Sequence, residues 1–242
     1  MAPKASRSFS PLPSLVLFDI DGTLLRRAGP HHREALEYAA RKVLGVAASM
    51  DGMPTHGMLD TDILAAMLRR EGVPLGEIRD AMDALRQSAE RRYLRQGPDS
   101  LAGRVCPGAS GLLARLDRKG VPMLLVTGNF ARIGWRKIDL AGLRPYFRDG
   151  AFAGMSSTRT GLARLAIRHA RERGWLNGGP ANAATVALVG DAPSDIEAAR
   201  KNRIRSVAVS TGLTPFEELR THAPHVLVRR LSELKLGDLA GE

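Results

Sequence analysis

The fold is decided by Leu17-Phe18-Asp19-Ile20-Asp21-Gly22-Thr23, which closes a short apolar run in this 242-residue chain. The run, residues 14–20, is typical of a strand that is buried on both faces of a parallel sheet. Because the run ends in Asp19 and Asp21 and Gly22 permits a sharp turn, we expect both carboxylates at the end of this strand. Thr23 is expected to hydrogen-bond locally and to start the next segment.

Further apolar runs of the same form recur along the chain, and helical periodicity fills the intervals between them. Strands that alternate with helices of this length predict βαβ units and a parallel sheet. Right-handed crossovers then place the carboxyl ends of all strands at one edge of the sheet. The predicted strands are residues 121–127, 147–153, 185–189, 206–209 and 225–228, and the predicted helices are residues 109–119, 132–141, 160–173 and 194–202.

One long stretch between Thr23 and Val105 interrupts this alternation. It has no buried-strand run, but it has helical patterns at residues 30–44, 61–71 and 75–96, separated by glycine and proline. We therefore expect an α/β fold with a Rossmann-like parallel sheet core, residues 14–26 and 104–242, and a mainly helical domain, residues 27–103, inserted after the first strand. Residues 1–13, which include three prolines, are expected to form a disordered leader.

Four acids stand at predicted strand ends: Asp19 and Asp21, then Asp191 and Asp195. Uncompensated carboxylates there would repel one another, and a site with oxygen ligands alone favours Mg²⁺. An ionised Asp19 can attack phosphorus and form an aspartyl-phosphate. Asp21 can protonate the leaving oxygen and then deprotonate the attacking water. The pattern predicts a magnesium site that supports phosphoryl transfer.

Two further segments complete the predicted site. Thr127, Gly128 and Asn129 follow the second strand and offer a hydroxyl and backbone N–H groups, which suit phosphoryl oxygens. The segment from Gly190 onward opens a helix with a proline in its first turn. This predicts Asp191 as a metal ligand and Asp195 as a ligand or as the partner of a cation.

The order of these motifs resembles the haloacid dehalogenase-like hydrolase superfamily. The match lies in Asp19-x-Asp21-Gly22-Thr23, Thr127-Gly128-Asn129 and Gly190-Asp191-x-x-x-Asp195, and it extends over residues 15–228. The helical insertion falls where that family carries a small cap domain, as in phosphoglycolate phosphatases and β-phosphoglucomutases. The resemblance implies a Mg²⁺-dependent phosphatase for a small phosphomonoester, phosphoglycolate- or sugar-phosphate-like, with the metal also held by the backbone carbonyl of Asp21.

The chain departs from the family pattern at one cation. The family places a lysine at the start of the helix after the third strand, but this sequence has no lysine between Lys137 and Lys201. Arg159 is the first candidate to replace it and Arg164 the second. Arginine keeps the positive charge but differs from lysine in shape.

Composition and charge restrict the partners. The single cysteine, Cys106, excludes an intrachain disulfide, and no membrane-length apolar run or signal peptide is found, so we predict a cytoplasmic protein without membrane contact. The net charge of +11 favours anionic partners. Because the basic residues are scattered and aromatics make up only 5% of the chain, a small phosphorylated metabolite is predicted and nucleic acid is disfavoured.

Alternatives remain open at this point. A phosphomutase would share all the core motifs, and a non-catalytic relative that binds anions or nucleic acid would be consistent with the charge. A carbon–halogen hydrolase is disfavoured, because in the resembled family that chemistry accompanies loss of the aspartate at the position of Asp21. His31 and His32 are interpreted as surface imidazoles. His56 lies in a loop of the insertion and could contact the substrate, although a surface imidazole is again the favoured interpretation.

Overall fold

The structure is a computed structural model that describes residues 12–26, 29–176, 181–182 and 184–241. Six strands form one sheet in the order β3-β2-β1-β4-β5-β6, and all neighbouring strands are parallel. The prediction of a Rossmann-like parallel α/β fold is confirmed. The strands are β1 (Leu15–Phe18), β2 (Met123–Phe130), β3 (Asp149–Ala153), β4 (Val186–Gly190), β5 (Arg205–Val209) and β6 (Val226–Val228).

Helices connect the strands and also form the insertion between β1 and β2. Those that were predicted begin and end within one or two residues of the expected positions, whereas the short α8 was not expected. The helices are α1 (His31–Leu44), α2 (Asp60–Arg70), α3 (Leu75–Gln96), α4 (Ala109–Arg118), α5 (Ala131–Leu140), α6 (Arg159–Glu172), α7 (Pro193–Lys201) and α8 (Phe216–Thr221).

The apolar core lies on both faces of the sheet. Leu15 and Leu17 of β1 contribute to one cluster, and Val16 and Phe18 contribute to the other, because side chains alternate along a strand. The first cluster continues without a break into the buried faces of α1, α2 and α3. The helical insertion therefore packs against the sheet through a shared core.

The chain leaves the sheet for the insertion and returns to it at neighbouring points. Leu25 and Val105 form an isolated antiparallel bridge, and the N–H of Arg26 donates to the carbonyl of Arg104 at 2.8 Å. The domain boundaries at residues 26/27 and 103/104 stay predictions. The predicted leader falls outside the described residues except for Leu12 and Pro13.

Strand order determines where a ligand can bind. The chain runs outward from β1 through β2 to β3, and then returns to the other side of β1 to form β4. Ligands of such sheets bind beyond the carboxyl ends of the strands at this reversal. Among the described helices none is both long and apolar enough to cross a membrane, and the cytoplasmic location stays a prediction.

Candidate active site

Three buried carboxylates meet at the reversal of strand order. Asp19 follows β1, Asp191 follows β4 and Asp195 lies in the first turn of α7, and each offers one oxygen within 4.8 Å of the others. A backbone hydrogen bond of 3.0 Å from the N–H of Asp19 to the carbonyl of Val189 holds the two strand ends together. The sequence motifs from opposite ends of the chain therefore converge.

This carboxylate cluster fits a hard divalent cation. Oδ2 of Asp191 and Oδ1 of Asp195 are buried and lack a hydrogen-bond partner among the described residues. Burial raises the pKa of Asp19 to about 7, against the opposing effect of Arg159, and burial together with the charge of Asp19 raises the pKa of Asp191 well above its usual range. A bound cation would lower the pKa values of both carboxyl groups. A donor set made of oxygen atoms alone suits Mg²⁺. The carboxylate of Asp21 is not in the cluster, so its backbone carbonyl remains as the predicted ligand.

The turn after β1 wraps closely around Asp191. Gly22 has φ +89°, and a Cβ atom there would lie 2.1 Å from Oδ2 of Asp191, so only glycine fits. The hydroxyl of Thr23 donates to Oδ1 of Asp191 at 3.1 Å. The expectation of a local hydrogen bond from the Thr23 side chain was wrong, because this buried hydroxyl donates to a residue 168 positions away in the sequence.

Arg159 provides the positive charge at the place where a lysine was expected. It is the first residue of α6 and only 8% exposed, and its Nη1 donates to Oδ1 of Asp19 at 2.8 Å and to the carbonyl of Val126 at 3.0 Å. Arg164 lies on the exposed side of the same helix. The hydroxyl of Thr158 caps the helix by accepting from the N–H of Gly161 at 3.0 Å, which fixes where Arg159 stands.

Asp195 has two contacts besides its place in the cluster. Its Oδ2 accepts from the N–H of Ala192 at 3.2 Å and so caps the start of α7, while its Oδ1 lies 3.4 Å from Nε of Arg159. The sequence left open whether Asp195 is a metal ligand or the partner of a cation. The structure places it beside Arg159 and within reach of the same metal position as Asp19.

Replacement of Arg159 should destabilise the fold as well as the site. Arg159→Met leaves the buried carboxylates of Asp19 and Asp195 without their cation, so we expect the free energy of unfolding to fall by about 3–5 kcal/mol, with a larger loss as the pH rises above 7. Urea unfolding in EDTA measures this loss. Arg164→Met on the exposed side of α6 is the matched control, and equal losses in the two variants would contradict the assignment.

The carboxylate of Asp21 belongs to a separate group of polar side chains. Its Oδ2 accepts from Nδ2 of Asn129 at 2.7 Å and from Nζ of Lys137 at 2.6 Å. Burial alone would raise the pKa of Asp21, but the charge of Lys137 and the hydrogen bonds from Lys137 and Asn129 outweigh it and hold this pKa below its usual value. Neither of these hydrogen bonds uses Oδ1 of Asp21.

Lys137 is a site residue that sequence reasoning missed. It lies on α5, is 1% exposed, and places Nζ 2.6 Å from Oδ1 of Asn129 and 3.1 Å from Nδ1 of His32, in addition to its contact with Asp21. These contacts use all the protons of an ammonium group. Helical spacing was the available signal, because Lys137 comes four residues after the buried Ile133 and so shares its face of the helix.

His32 connects the insertion to this group, so its interpretation as a surface imidazole was wrong. Because Lys137 donates to Nδ1, we assign the ring proton to Nε2, which donates to Oδ2 of Asp60 at 3.0 Å. The same oxygen of Asp60 accepts from the N–H of Phe130 at 2.7 Å. Two residues of the insertion are thus joined by hydrogen bonds to the core beside Asp21.

The second motif lies at the end of β2. Oγ1 of the fully buried Thr127 accepts from Nδ2 of Asn129 at 2.8 Å, so its own proton remains available for another acceptor. A Cβ atom at Gly128 would lie 2.2 Å from the carbonyl of Met58, so the insertion loop rests directly on this glycine. The motif is therefore confined between the sheet and the insertion.

His56 also reaches the carboxylates from the insertion. Its Nε2 lies 2.8 Å from Oγ1 of Thr214 and 3.5 Å from Oδ2 of Asp191. The favoured interpretation of His56 as a surface imidazole was wrong, and the alternative that it contacts the substrate stays a prediction. Its loop position gave no sign of these partners, since both lie more than a hundred residues later in the chain.

A cavity of about 320 Å³ lies over the carboxylates, between sheet and insertion. Such a volume is within the range of small-molecule sites, about 300–1,000 Å³. Its core side is lined by Asp19, Asp21, Thr127, Asn129, Arg159 and Asp191, and its insertion side includes His32, Arg33, Met50 and His56.

Comparisons with known proteins agree with this geometry. A family model described as a haloacid dehalogenase-like hydrolase matches residues 13–202, whereas no curated protein matches the chain. Among solved structures, the chain is similar to a β-phosphoglucomutase from Clostridium difficile, with TM-score 0.67, 18% identity and coverage of 93% of this chain and 94% of that one. It is also similar to the phosphate complex of CbbY from Rhodobacter sphaeroides, with TM-score 0.68, 20% identity and coverage of 94% and 99%. A predicted phosphoglycolate phosphatase from Haemophilus somnus 129PT has TM-score 0.63 and 15% identity, with coverage of 91% and 96%.

Proposed function

The chain belongs to the haloacid dehalogenase-like hydrolases, and on that premise we propose that it is a Mg²⁺-dependent phosphatase that hydrolyses a small phosphomonoester. The observation that carries the proposal is the position of Asp19. It lies at a strand end, between the buried guanidinium of Arg159 and the carboxylates of Asp191 and Asp195. The proposed substrate of the protein is a small phosphorylated metabolite, and the proposed reaction involves no nucleic acid.

Asp19 is the nucleophile of this proposal. The hydrogen bond from Arg159 to Oδ1 orients the carboxylate of Asp19. Attack of this carboxylate on phosphorus forms an aspartyl-phosphate as the ester oxygen leaves. The free hydroxyl proton of Thr127 and the backbone N–H groups that follow β2 hold the phosphoryl oxygens. When bound, Mg²⁺ would be held by Asp19, Asp191, Asp195 and the backbone carbonyl of Asp21, and would offset the negative charge of the phosphoryl group.

Asp21 moves the protons of both steps. It gives a proton to the leaving oxygen, and in the second step it takes one from the water that attacks the aspartyl-phosphate. Lys137 and Asn129 occupy its Oδ2, which leaves Oδ1 for these transfers. The insertion, through the loop that carries His56 and Met58, excludes bulk water from the cavity during the first step.

Phosphate release from a set of phosphorylated metabolites and p-nitrophenyl phosphate tests the proposal. We expect release with Mg²⁺ and its loss with EDTA, because the buried carboxylates need the cation to act together. Activity that is unaffected by EDTA would contradict the metal assignment. Isomerisation of a sugar phosphate without phosphate release would instead identify a phosphomutase, and binding without any turnover would identify a non-catalytic relative.

A further inference from the structure

A larger cavity, of about 550 Å³, adjoins the candidate active site on the side where the chain links sheet and insertion. It shares Asp21, His56, Asp191 and Leu213 with the smaller cavity, so both cavities reach these four residues. Arg26 and Arg104 also line the larger cavity, but not the smaller one. The proposed reaction uses neither arginine.

The two arginines stand directly opposite each other. Since Leu25 and Val105 form an antiparallel bridge, Arg26 faces Arg104 across the two linking segments, and opposed side chains of such a pair lie on the same side. Their backbones are fixed by the 2.8 Å hydrogen bond from the N–H of Arg26 to the carbonyl of Arg104. Both residues are exposed, and within the described ranges neither guanidinium has an ion pair.

Two like charges in this arrangement destabilise the junction unless an anion lies near them. Neither side chain is buried, so packing offers no reason for the pair. Guanidinium groups bind carboxylates and phosphates through paired hydrogen bonds, and two of them side by side can hold either group firmly. The larger cavity is lined both by these arginines and by Asp21 and Asp191, which also line the candidate active site.

We propose that Arg26 and Arg104 form a subsite for a second negatively charged group of the substrate. The preferred substrates are then phosphomonoesters that also carry a carboxylate or a second phosphate. The reacting phosphoryl group lies at Asp19, and the rest of the molecule extends past Asp21 into the larger cavity. This inference rests on the proposed function, and it adds the class of substrate and the residues that select it.

Selectivity between matched esters tests the subsite. The probes are 2-phosphoglycolate for a carboxylate and glucose 1,6-bisphosphate for a second phosphate, each compared with glucose 1-phosphate and p-nitrophenyl phosphate. We expect the native enzyme to favour at least one doubly anionic probe. In the Arg26→Gln, Arg104→Gln double variant, kcat/KM for that probe should fall by about tenfold to a hundredfold relative to p-nitrophenyl phosphate, mainly through KM. Arg164→Gln, on the exposed side of α6, should leave the ratio unchanged.

Two outcomes would overturn the inference. One is a native enzyme that turns over phosphomonoesters but prefers neither doubly anionic probe. The other is a double variant that loses all esters equally. Calorimetric titration of the same probes into an Asp19→Asn background, with and without the arginine pair, tests the subsite even if no ester is turned over. Absence of any turnover by the native chain with Mg²⁺ would refute the proposed function, whereas equal binding by both titrated variants would refute the subsite.

Discussion

Asp19→Asn is expected to abolish Mg²⁺-dependent hydrolysis of p-nitrophenyl phosphate. The amide cannot attack phosphorus, and the substitution also removes one of the three buried carboxylates that would hold the metal. Loss of a covalent nucleophile typically lowers kcat by several orders of magnitude, so we expect a fall of about 10⁴-fold or more. Phosphate release under saturating substrate measures this effect.

A matched variant separates this effect from a general change in charge. Asp80→Asn makes the same chemical change on the exposed side of α3 and should retain native activity. Appreciable metal-dependent turnover by a folded Asp19→Asn variant would mean that another residue is the nucleophile.

The same variant gives a second readout that does not depend on activity. Without a cation, the pKa of Asp19 is raised from 3.8 to about 7, so between these values the folded state holds a proton that the unfolded state has lost. The contribution of Asp19 to stability is therefore complete below pH 3.8 and is lost as the pH rises through about 7. Urea unfolding in EDTA should show native protein losing stability relative to Asp19→Asn across this range, and a difference independent of pH would contradict the raised pKa.

Lys137→Met is expected to lower kcat by about 10²–10⁴-fold, which is the usual contribution of a positioned acid–base group. Methionine fills the space but leaves Asp21 without its cation and Oδ1 of Asn129 without its short hydrogen bond from Lys137. Asp21 then loses the ion pair that orients it, whereas Lys137 has no part in the proposed binding of the phosphoryl oxygens by Thr127. We therefore expect kcat to fall more than KM rises, as steady-state kinetics with p-nitrophenyl phosphate can show.

The pH profile distinguishes this role from a structural one. Since the charge of Lys137 lowers the pKa of Asp21, its removal should raise that pKa and shift to higher pH the acidic limb of the profile, which reports Asp21 as the base of the second step. Lys201→Met removes a lysine that, within the described part of the chain, forms an ion pair with Glu197 alone on the surface of α7, and it should change neither kcat nor the profile. A folded Lys137→Met variant with native kcat and an unchanged profile would contradict the assignment.

Much of the fold was readable because its signals are local. β1 is a wholly buried apolar run, and burial on both faces is what such a run requires in a parallel sheet. The helices were predicted from spacing alone, and Thr158 as a cap explains why Arg159 stands where a motif cation is needed. The exception is α8, whose six residues bury only Leu219 and so give no periodic pattern.

The parts of the site that were missed depend on contacts between distant residues. Lys137 and Asp21 are 116 positions apart, and Thr23 and Asp191 are 168 apart. A single sequence gives the period of each helix but not which helix face meets which strand end. His32 shows the limit, because its place near the start of α1 fits an exposed imidazole as well as one that is held between Lys137 and Asp60.

The bridge between Leu25 and Val105 has a consequence for how such a protein can diversify. The two ends of the insertion lie side by side, so the chain leaves and re-enters the sheet at one place and the register of β1, β2 and β4 does not depend on the length of what lies between. Lineages can therefore exchange the inserted segment as a module while they inherit the reaction chemistry unchanged. The contacts between the insertion and the core, such as that of Met58 with Gly128 and those of the shared apolar cluster, must be rebuilt with each exchange and so limit which modules the core accepts.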